Sequence, residues 1–333
     1  MAEQYIGGFF GLEPLPPGEV SKRIHEGALP LQSGRACVSF LLAHLNVQRL
    51  YLPFYTCDAL VDPVIERGIP FEFYPIDESF FPAHIPVLKE GEYFVYVNYF
   101  GLQAVQLERL YQRYGKQLII DNTTAFFEGP YHDCFSFNSA RKFFGVPDGA
   151  FLFGEQFLAG YNRLPVNKNI SLLHLRLRAA GMQHEAFAAF RAYERTISTQ
   201  AQKSSPYSLE VLGKLDLENI AAKRRANFMY YHERLQLVNR LKPLSPANQV
   251  PHYYPFLPGG HFDRSSLAAE GIFIPTLWPE VLLREGVGFD TDRYFAEHIL
   301  PLPVDHRYSA ADCEKVISLL QPKLGSPKEQ AND

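Results

Sequence analysis

Short apolar runs alternate with helical-period segments through the first half of the chain, and each run stops at polar residues. Arg49 to Tyr55, Ile69 to Ile76 and Tyr93 to Tyr96 are strand-like runs, and the short apolar runs Gln117 to Ile120 and Cys134 to Phe137, with β-branched or aromatic members, suit strands buried on both faces. Between them, Val38, Leu41, Leu42 and Leu45 recur at helical spacing behind the start residues Ser33 and Gly34. A second helix follows Thr56 to Leu60 and runs to Arg67, and a third surrounds Leu107 to Tyr114. Asp148 to Phe153 predicts one more strand. Such alternation predicts a doubly wound α/β domain with a parallel sheet.

The second half is more helical. Leu172 to Gln202 carries His174, Arg176, Arg178, Arg191 and Arg195 mostly on polar faces, so it reads as a solvated or interface helix rather than a clamp for a substrate phosphate. Ser204 to Ser208 breaks the chain, and Leu217 to Leu241 predicts a long helix. Tyr253 to Leu257, Asp263 to Leu267 and Gly271 to Pro275 then predict a small α/β domain, closed by the strand Leu300 to Pro303 and a helix capped by Ser309 and Asp312. The first thirty residues, rich in Gly, Pro and aromatics, are expected to wrap over a neighbour or the second domain. From about Ser326 the chain reads as a polar tail.

Composition narrows the class without naming a chemistry. With 333 residues, 47% hydrophobic and 20% charged, the chain is an ordinary globular protein of two domains, or of one large domain with an appendage. An aromatic fraction of 14% fits large buried surfaces, a subunit interface among them. The net charge of −4 leaves no electrostatic footprint for nucleic acid. No apolar run approaches a membrane span, and the N-terminus lacks the basic start of a signal peptide. The four cysteines have no CxxC spacing and read as reduced thiols of a cytoplasmic protein. The histidines show no metal-binding spacing, so no metal is expected.

Candidate chemistry sits where two of the runs end. Twelve residues separate Asp121 from Cys134, just enough for a parallel crossover. If those strands are neighbours, Asp121 and Lys142 emerge together at the carboxyl edge of the sheet, where open α/β sheets bind ligands. Pyridoxal phosphate (PLP) needs this combination: an amine for a Schiff base, and an acid that keeps the ring nitrogen protonated. Arg141 beside Lys142 would help keep that amine neutral. Taken alone, the basic pair also reads as the start of a solvated helix.

Together these residues resemble the DegT/StrS-type sugar aminotransferases, PLP-dependent enzymes of the aspartate-aminotransferase fold. The family's acid-ended strand, Ser-Phe strand, lysine and acidic Gly-rich turn have counterparts in Asp121, Ser136-Phe137, Lys142 and Pro147 to Ala150. Counted forward from Ser136 the family's lysine falls on Arg141, and counted back from Asp148-Gly149 it falls on Lys142. Arginine stays protonated and forms no Schiff base, so the resemblance assigns that role to Lys142. It implies a fold type I transferase: a mostly parallel, seven-stranded large domain over residues 1–215 and a small C-terminal α/β domain with its linking helix over 216–333.

The resemblance also places the other contacts. Ser33, Gly34, Arg35 and Ala36 stand where a Gly-Thr-Ala-like turn meets the cofactor phosphate, with Arg35 supplying charge in place of the hydroxyl. Cys57 holds the position of a stacking aromatic ring, for which Tyr55 is a substitute. Thr124 stands where a Gln lies near the ring hydroxyl, Ser136 where a hydroxyl meets the phosphate, and Asn98 at the strand edge beside them. Tyr99, Arg141 and His306 are candidate substrate contacts, with Tyr5, Phe9 and Arg176 as further ones. The partner-crossing Asn-Tyr-Arg loop is missing, and Ser205 or Ser208 at most imitates it.

The implied function is transfer of an amino group from an amino acid such as glutamate to a keto-sugar nucleotide, for amino-sugar, polysaccharide or antibiotic-sugar synthesis, in a cytoplasmic homodimer with shared active sites. The departures at Arg35, Cys57, the lysine spacing and the missing loop support a second reading, a catalytically divergent binding or regulatory subunit.

Overall fold

The computed structural model describes residues 5–15, 24–241, 248–260 and 262–320. The polar tail expected from Ser326 lies outside them. In chain order, the short strand β1 (Ile6–Gly7) is followed by β2 (Leu29–Leu31), α1 (Gly34–His44), β3 (Arg49–Pro53) and α2 (Asp58–Glu66). Next come β4 (Phe71–Tyr74), β5 (Glu92–Val97), α3 (Ala104–Tyr114), β6 (Leu118–Asn122), β7 (Phe135–Asn138) and β8 (Ala150–Phe153). Four helices follow without a strand: α4 (Leu158–Asn162), α5 (Leu173–Ala179), α6 (Gln183–Glu194) and α7 (Pro206–Lys214). The long α8 (Leu217–Leu235) leads into β9 (Tyr253–Phe256), α9 (Arg264–Ala269), β10 (Ile272–Phe273), α10 (Asp290–His298), β11 (Leu300–Pro303) and α11 (Ala310–Leu320).

Seven strands form one sheet in the order β2-β8-β7-β6-β5-β3-β4. Pairings from β4 through β7 are parallel, and β8 alone runs against its neighbours. The mostly parallel, seven-stranded expectation is met, and β6 and β7 are indeed adjacent. Leu50, Leu52, Val95 and Ile119 on the central strands are at most 3% exposed, each such burial worth about 2 kcal/mol. Their apolar faces pack against α1 and α2, which is why these runs carry no polar alternation. Ser33 caps α1, accepting from the Ala36 N–H at 3.1 Å.

Two helices differ from the expected lengths. The expected Leu172–Gln202 helix is two, α5 and α6, split at Gly181, whose φ of 78° takes the left-handed conformation that ends a helix. The linking helix stops at Leu235 instead of Leu241. Just beyond it the Asn239 carboxamide oxygen accepts from Leu241 N–H and Leu257 N–H at 3.1 and 2.9 Å, tying the chain to the β9 end.

The N-terminal segment wraps over the C-terminal part of the chain. β1 pairs in parallel with β10, while β9 and β11 form an antiparallel pair. Further along this segment, a Cβ on Gly145 would meet the Gly11 carbonyl oxygen at 1.8 Å. Only glycine allows the N-terminal strap to lie so close to the turn after Lys142.

Candidate active site

The site is built where β6 and β7 end against the start of α1. Asp121 lies near the end of β6, 3% exposed. Its carboxylate accepts from the Thr123 N–H at 2.8 Å. Burial raises its pKa, opposed by the Thr123 hydrogen bonds and by the positive charge of Lys142. No side-chain cation forms an ion pair with it among the described residues. The start of α1 abuts this exit: a Cβ on Gly34 would lie 3.0 Å from the Thr123 methyl. A helix start presents N–H groups without helical partners and the positive end of the dipole.

After β7 the chain makes a short 3₁₀ turn, Ala140–Lys142, and the Lys142 side chain is exposed into a cavity of about 1300 Å³. Cys57, Ser139 and Arg141 stand in the same wall. The opposite walls come from the N-terminal segment (Tyr5, Phe9), from α6 (Phe187, Glu194) and from the C-terminal part (His252, Trp278). Trp278 takes a φ of 54° and packs edge-on to Tyr55 at 4.6 Å. Such a conformation is strained for a bulky residue and is held by its surroundings.

Two charge relationships shape the cavity. Arg141 forms an ion pair with Glu194 and lies over the Tyr193 ring at 5.7 Å. Burial alone would raise the Glu194 carboxyl, but Arg141, with help from Lys142 and Arg35, holds it below its usual value. Burial raises the Cys57 thiol, Lys142 opposes the rise, and the carboxylates of Asp121 and Glu280 add to it. Cys57, Lys142 and Asp121 thus share one electrostatic neighbourhood.

Several expected contacts lie elsewhere. The Arg35 guanidinium donates to the Ile197 carbonyl at 2.8 Å and faces Asp62 at 3.4 Å, so its charge is already committed and it is not in the cavity wall. Asn98 is a turn residue: its amide donates to the Asn122 carboxamide oxygen at 2.9 Å and its oxygen accepts from Gln103 N–H. The Thr124 hydroxyl donates to the Asn98 carbonyl at 2.8 Å. Tyr99 is fully buried and donates to the Tyr55 carbonyl, facing the core and not the cavity. Tyr55 is likewise buried and no substitute for the stacking ring. His306 faces Glu13 at 3.3 Å and lies outside the cavity wall.

Ser136 is corrected by register. It pairs with Ile120 while Asp121 pairs with Phe137, so Ser136 and Asp121 face opposite sides of the sheet. Ser205 and Ser208 are also committed, both donating to Asp148. Of the candidates, Lys142, Cys57 and Arg141 line the cavity; Asp121 is buried outside its lining, within electrostatic reach of Lys142 and Cys57, and Gly34 at the adjoining helix start abuts Thr123. Tyr5 and Phe9 line the outer part of the cavity.

Sequence reasoning missed Ser139, Glu194, His252 and Glu280. Ser139 stands three residues before Lys142, a spacing that a closer reading of the same stretch would have singled out. The other three reach the site from remote positions with no local signal.

The donor set fits pyridoxal phosphate. A buried carboxylate lacking an ion-pair partner among the described residues suits a cationic ring nitrogen, a lysine amine within its electrostatic reach opens into the cavity, and a helix start beside the acid suits a phosphate. At the position the resemblance gives to a stacking ring, the cavity wall carries Cys57.

No protein-family model and no curated protein sequence matches the chain. Solved structures do. The putative sugar aminotransferase Spr1654 from Streptococcus pneumoniae, in its PLP form, superposes with a TM-score of 0.66 at 14% identity, over 97% of this chain and 100% of that one. A DegT DnrJ EryC1 StrS aminotransferase from Brucella abortus gives 0.60 at 18% identity, over 90% and 86%. The sugar aminotransferase CalS13 from Micromonospora echinospora gives 0.63 at 13% identity, over 89% and 87%. These likenesses show the fold.

Proposed function

We propose that this chain, which shares its fold with sugar aminotransferases, is a PLP-dependent aminotransferase that moves an amino group from an amino acid, glutamate in the first instance, to a keto-sugar carried on a nucleotide. The observation that supports this is the electrostatic reach of the cavity lysine Lys142 to the buried Asp121, whose strand exit abuts the α1 start. The sugar acceptor rests on the structural neighbours, which are sugar aminotransferases. In this reading residues 1–215 form the cofactor domain and 216–333 the smaller one, and the enzyme works as a cytoplasmic homodimer with shared sites.

Bound PLP supplies an electron-drawing ring that makes the donor's α-proton acidic. Lys142 would hold the group and would carry a proton at Nζ, taking it from the donor carbon and giving it back as general acid. Asp121 would help hold it through a carboxylate whose burial strengthens its attraction for a cationic partner. Ser33 holds the helix start in place through Ala36.

The experiment is to add PLP to the purified protein, record its visible absorption, reduce with borohydride and map the modified peptide. Yellow protein trapped at Lys142, with both signals lost in Lys142→Ala, is expected. Protein that stays colourless and untrapped overturns the reading. Cys57 in place of a stacking ring favours a second reading, a divergent binding subunit; it predicts trapping at Lys142 with no amino transfer from glutamate.

A further inference from the structure

We propose that His252 is a positioning residue for Lys142, acting with Arg224 and Glu13 to fix the backbone from which the amine extends. The purpose of this clamp rests on the cofactor reading; its geometry does not.

The lysine turn is only three residues long, and so short a helical turn does not hold its own shape. Three remote side chains secure it. The His252 ring Nε2 lies 3.1 Å from the Lys142 carbonyl oxygen, which makes it the donor. Arg224 Nη2 donates to the next carbonyl, that of Phe143, at 3.3 Å. Glu13 accepts from the Gly145 N–H at 2.8 Å. All three are buried, at 4%, 1% and 8% exposure, so water does not compete for these bonds.

The clamp is also braced behind. Arg224 donates through Nη1 to the Pro251 and His252 carbonyls, each at 3.3 Å, and its guanidinium lies over the Phe143 ring at 4.4 Å. The His252 N–H donates to the Phe100 carbonyl at 2.8 Å, joining the clamp to the segment after β5. Burial, with Arg224 and Lys142 nearby, keeps the His252 imidazole neutral. A neutral ring that donates from Nε2 carries a lone pair on Nδ1, which is buried without a partner. The ring is therefore oriented by its single bond to the lysine backbone.

The three bonds from His252, Arg224 and Glu13 fall on Lys142, Phe143 and Gly145. A misplacement of about 1 Å at a reacting group costs on the order of a hundredfold in rate, so a site on so short a turn needs this support.

The test compares wild-type protein with His252→Leu, which removes the donor, and His252→Gln, whose amide reaches the same carbonyl. Hydrogen exchange of the 140–145 peptide is read in the full chain, and borohydride trapping at Lys142 is read with PLP added. Exchange about tenfold faster in His252→Leu, with slower trapping, and both restored in His252→Gln, is expected. Wild-type exchange in His252→Leu, or a Gln variant as fast as Leu, overturns the proposal. Should His252→Leu fail to fold, Glu13→Leu decides by the same exchange measurement, with an unchanged 140–145 peptide overturning it. Wild-type protein that is never trapped sinks the cofactor reading alone, and the exchange rates still decide the clamp.

Discussion

Ser136 and Asp121 stand on neighbouring strands and face opposite sides of the sheet, because Asp121 pairs with Phe137 and Ser136 with Ile120. Phe137 lies against the α1 start, 3.8 Å from a Cβ on Gly34, so the Asp121 side is the one that faces the helix start, where the proposed cofactor would sit. The Ser136 hydroxyl is buried with no hydrogen-bond partner on the other. Ser136→Ala is therefore expected to leave PLP affinity unchanged and to hold or raise stability by up to about 1 kcal/mol, since it removes an unsatisfied group. A PLP titration and a thermal melt check this; a large loss of affinity would return Ser136 to the phosphate.

Asp148 gathers four donors: Asn167 Nδ2, the Ser205 N–H and hydroxyl, and the Ser208 hydroxyl. Ser205 also caps α7, so one carboxylate ties the turn after the lysine to the next helix. Asp148→Ala strands all four donors and should cost roughly 3 kcal/mol or more. Urea unfolding measures it, and a loss below 1 kcal/mol would show that water replaces the network.

The strands and their mostly parallel sheet were legible because each depends on contiguous residues: an apolar run, its polar stop and a crossover length. Side-chain assignments that depend on register or on hydrogen-bond partners were not. Nothing local shows that Ser136 falls on the wrong parity, or that the Asn98 and Thr124 groups are consumed by their own turn. Arg35 looked like a free cation until α2 and the segment at Ile197 were placed around it. His252 reaches Lys142 across 110 positions of sequence, and only the folded chain brings them together.

Asp292 offers a pH test away from the site. It is fully buried behind Tyr55, Tyr74 and Tyr99, and burial lifts its carboxyl from 3.8 to about 7, with backbone hydrogen bonds and Arg293 opposing. The folded chain therefore holds this proton more tightly than the unfolded one. The stabilisation is fully present below the unfolded value of 3.8 and is lost as pH rises through about 7. Asp292→Asn should flatten that slope and stabilise the protein at about pH 8 by roughly 2–4 kcal/mol. Parallel pH–stability curves for variant and wild type would refute the assignment.

Cys57 and Lys142 share the cavity wall, and the proposed function gives Cys57 the place of a stacking ring. Its thiol is raised by burial, with Asp121 and Glu280 adding to the rise and Lys142 opposing it, so near neutral pH it should alkylate more slowly than free cysteine. An aromatic side chain there would add a stacking face worth about 1 kcal/mol, or roughly fivefold in affinity. Cys57→Phe is accordingly expected to retain PLP longer in dialysis than the wild type, with Lys142 still trapped by borohydride. Faster loss of the cofactor would mean that the ring clashes with it, and that the small thiol is a requirement of the site rather than a departure from it.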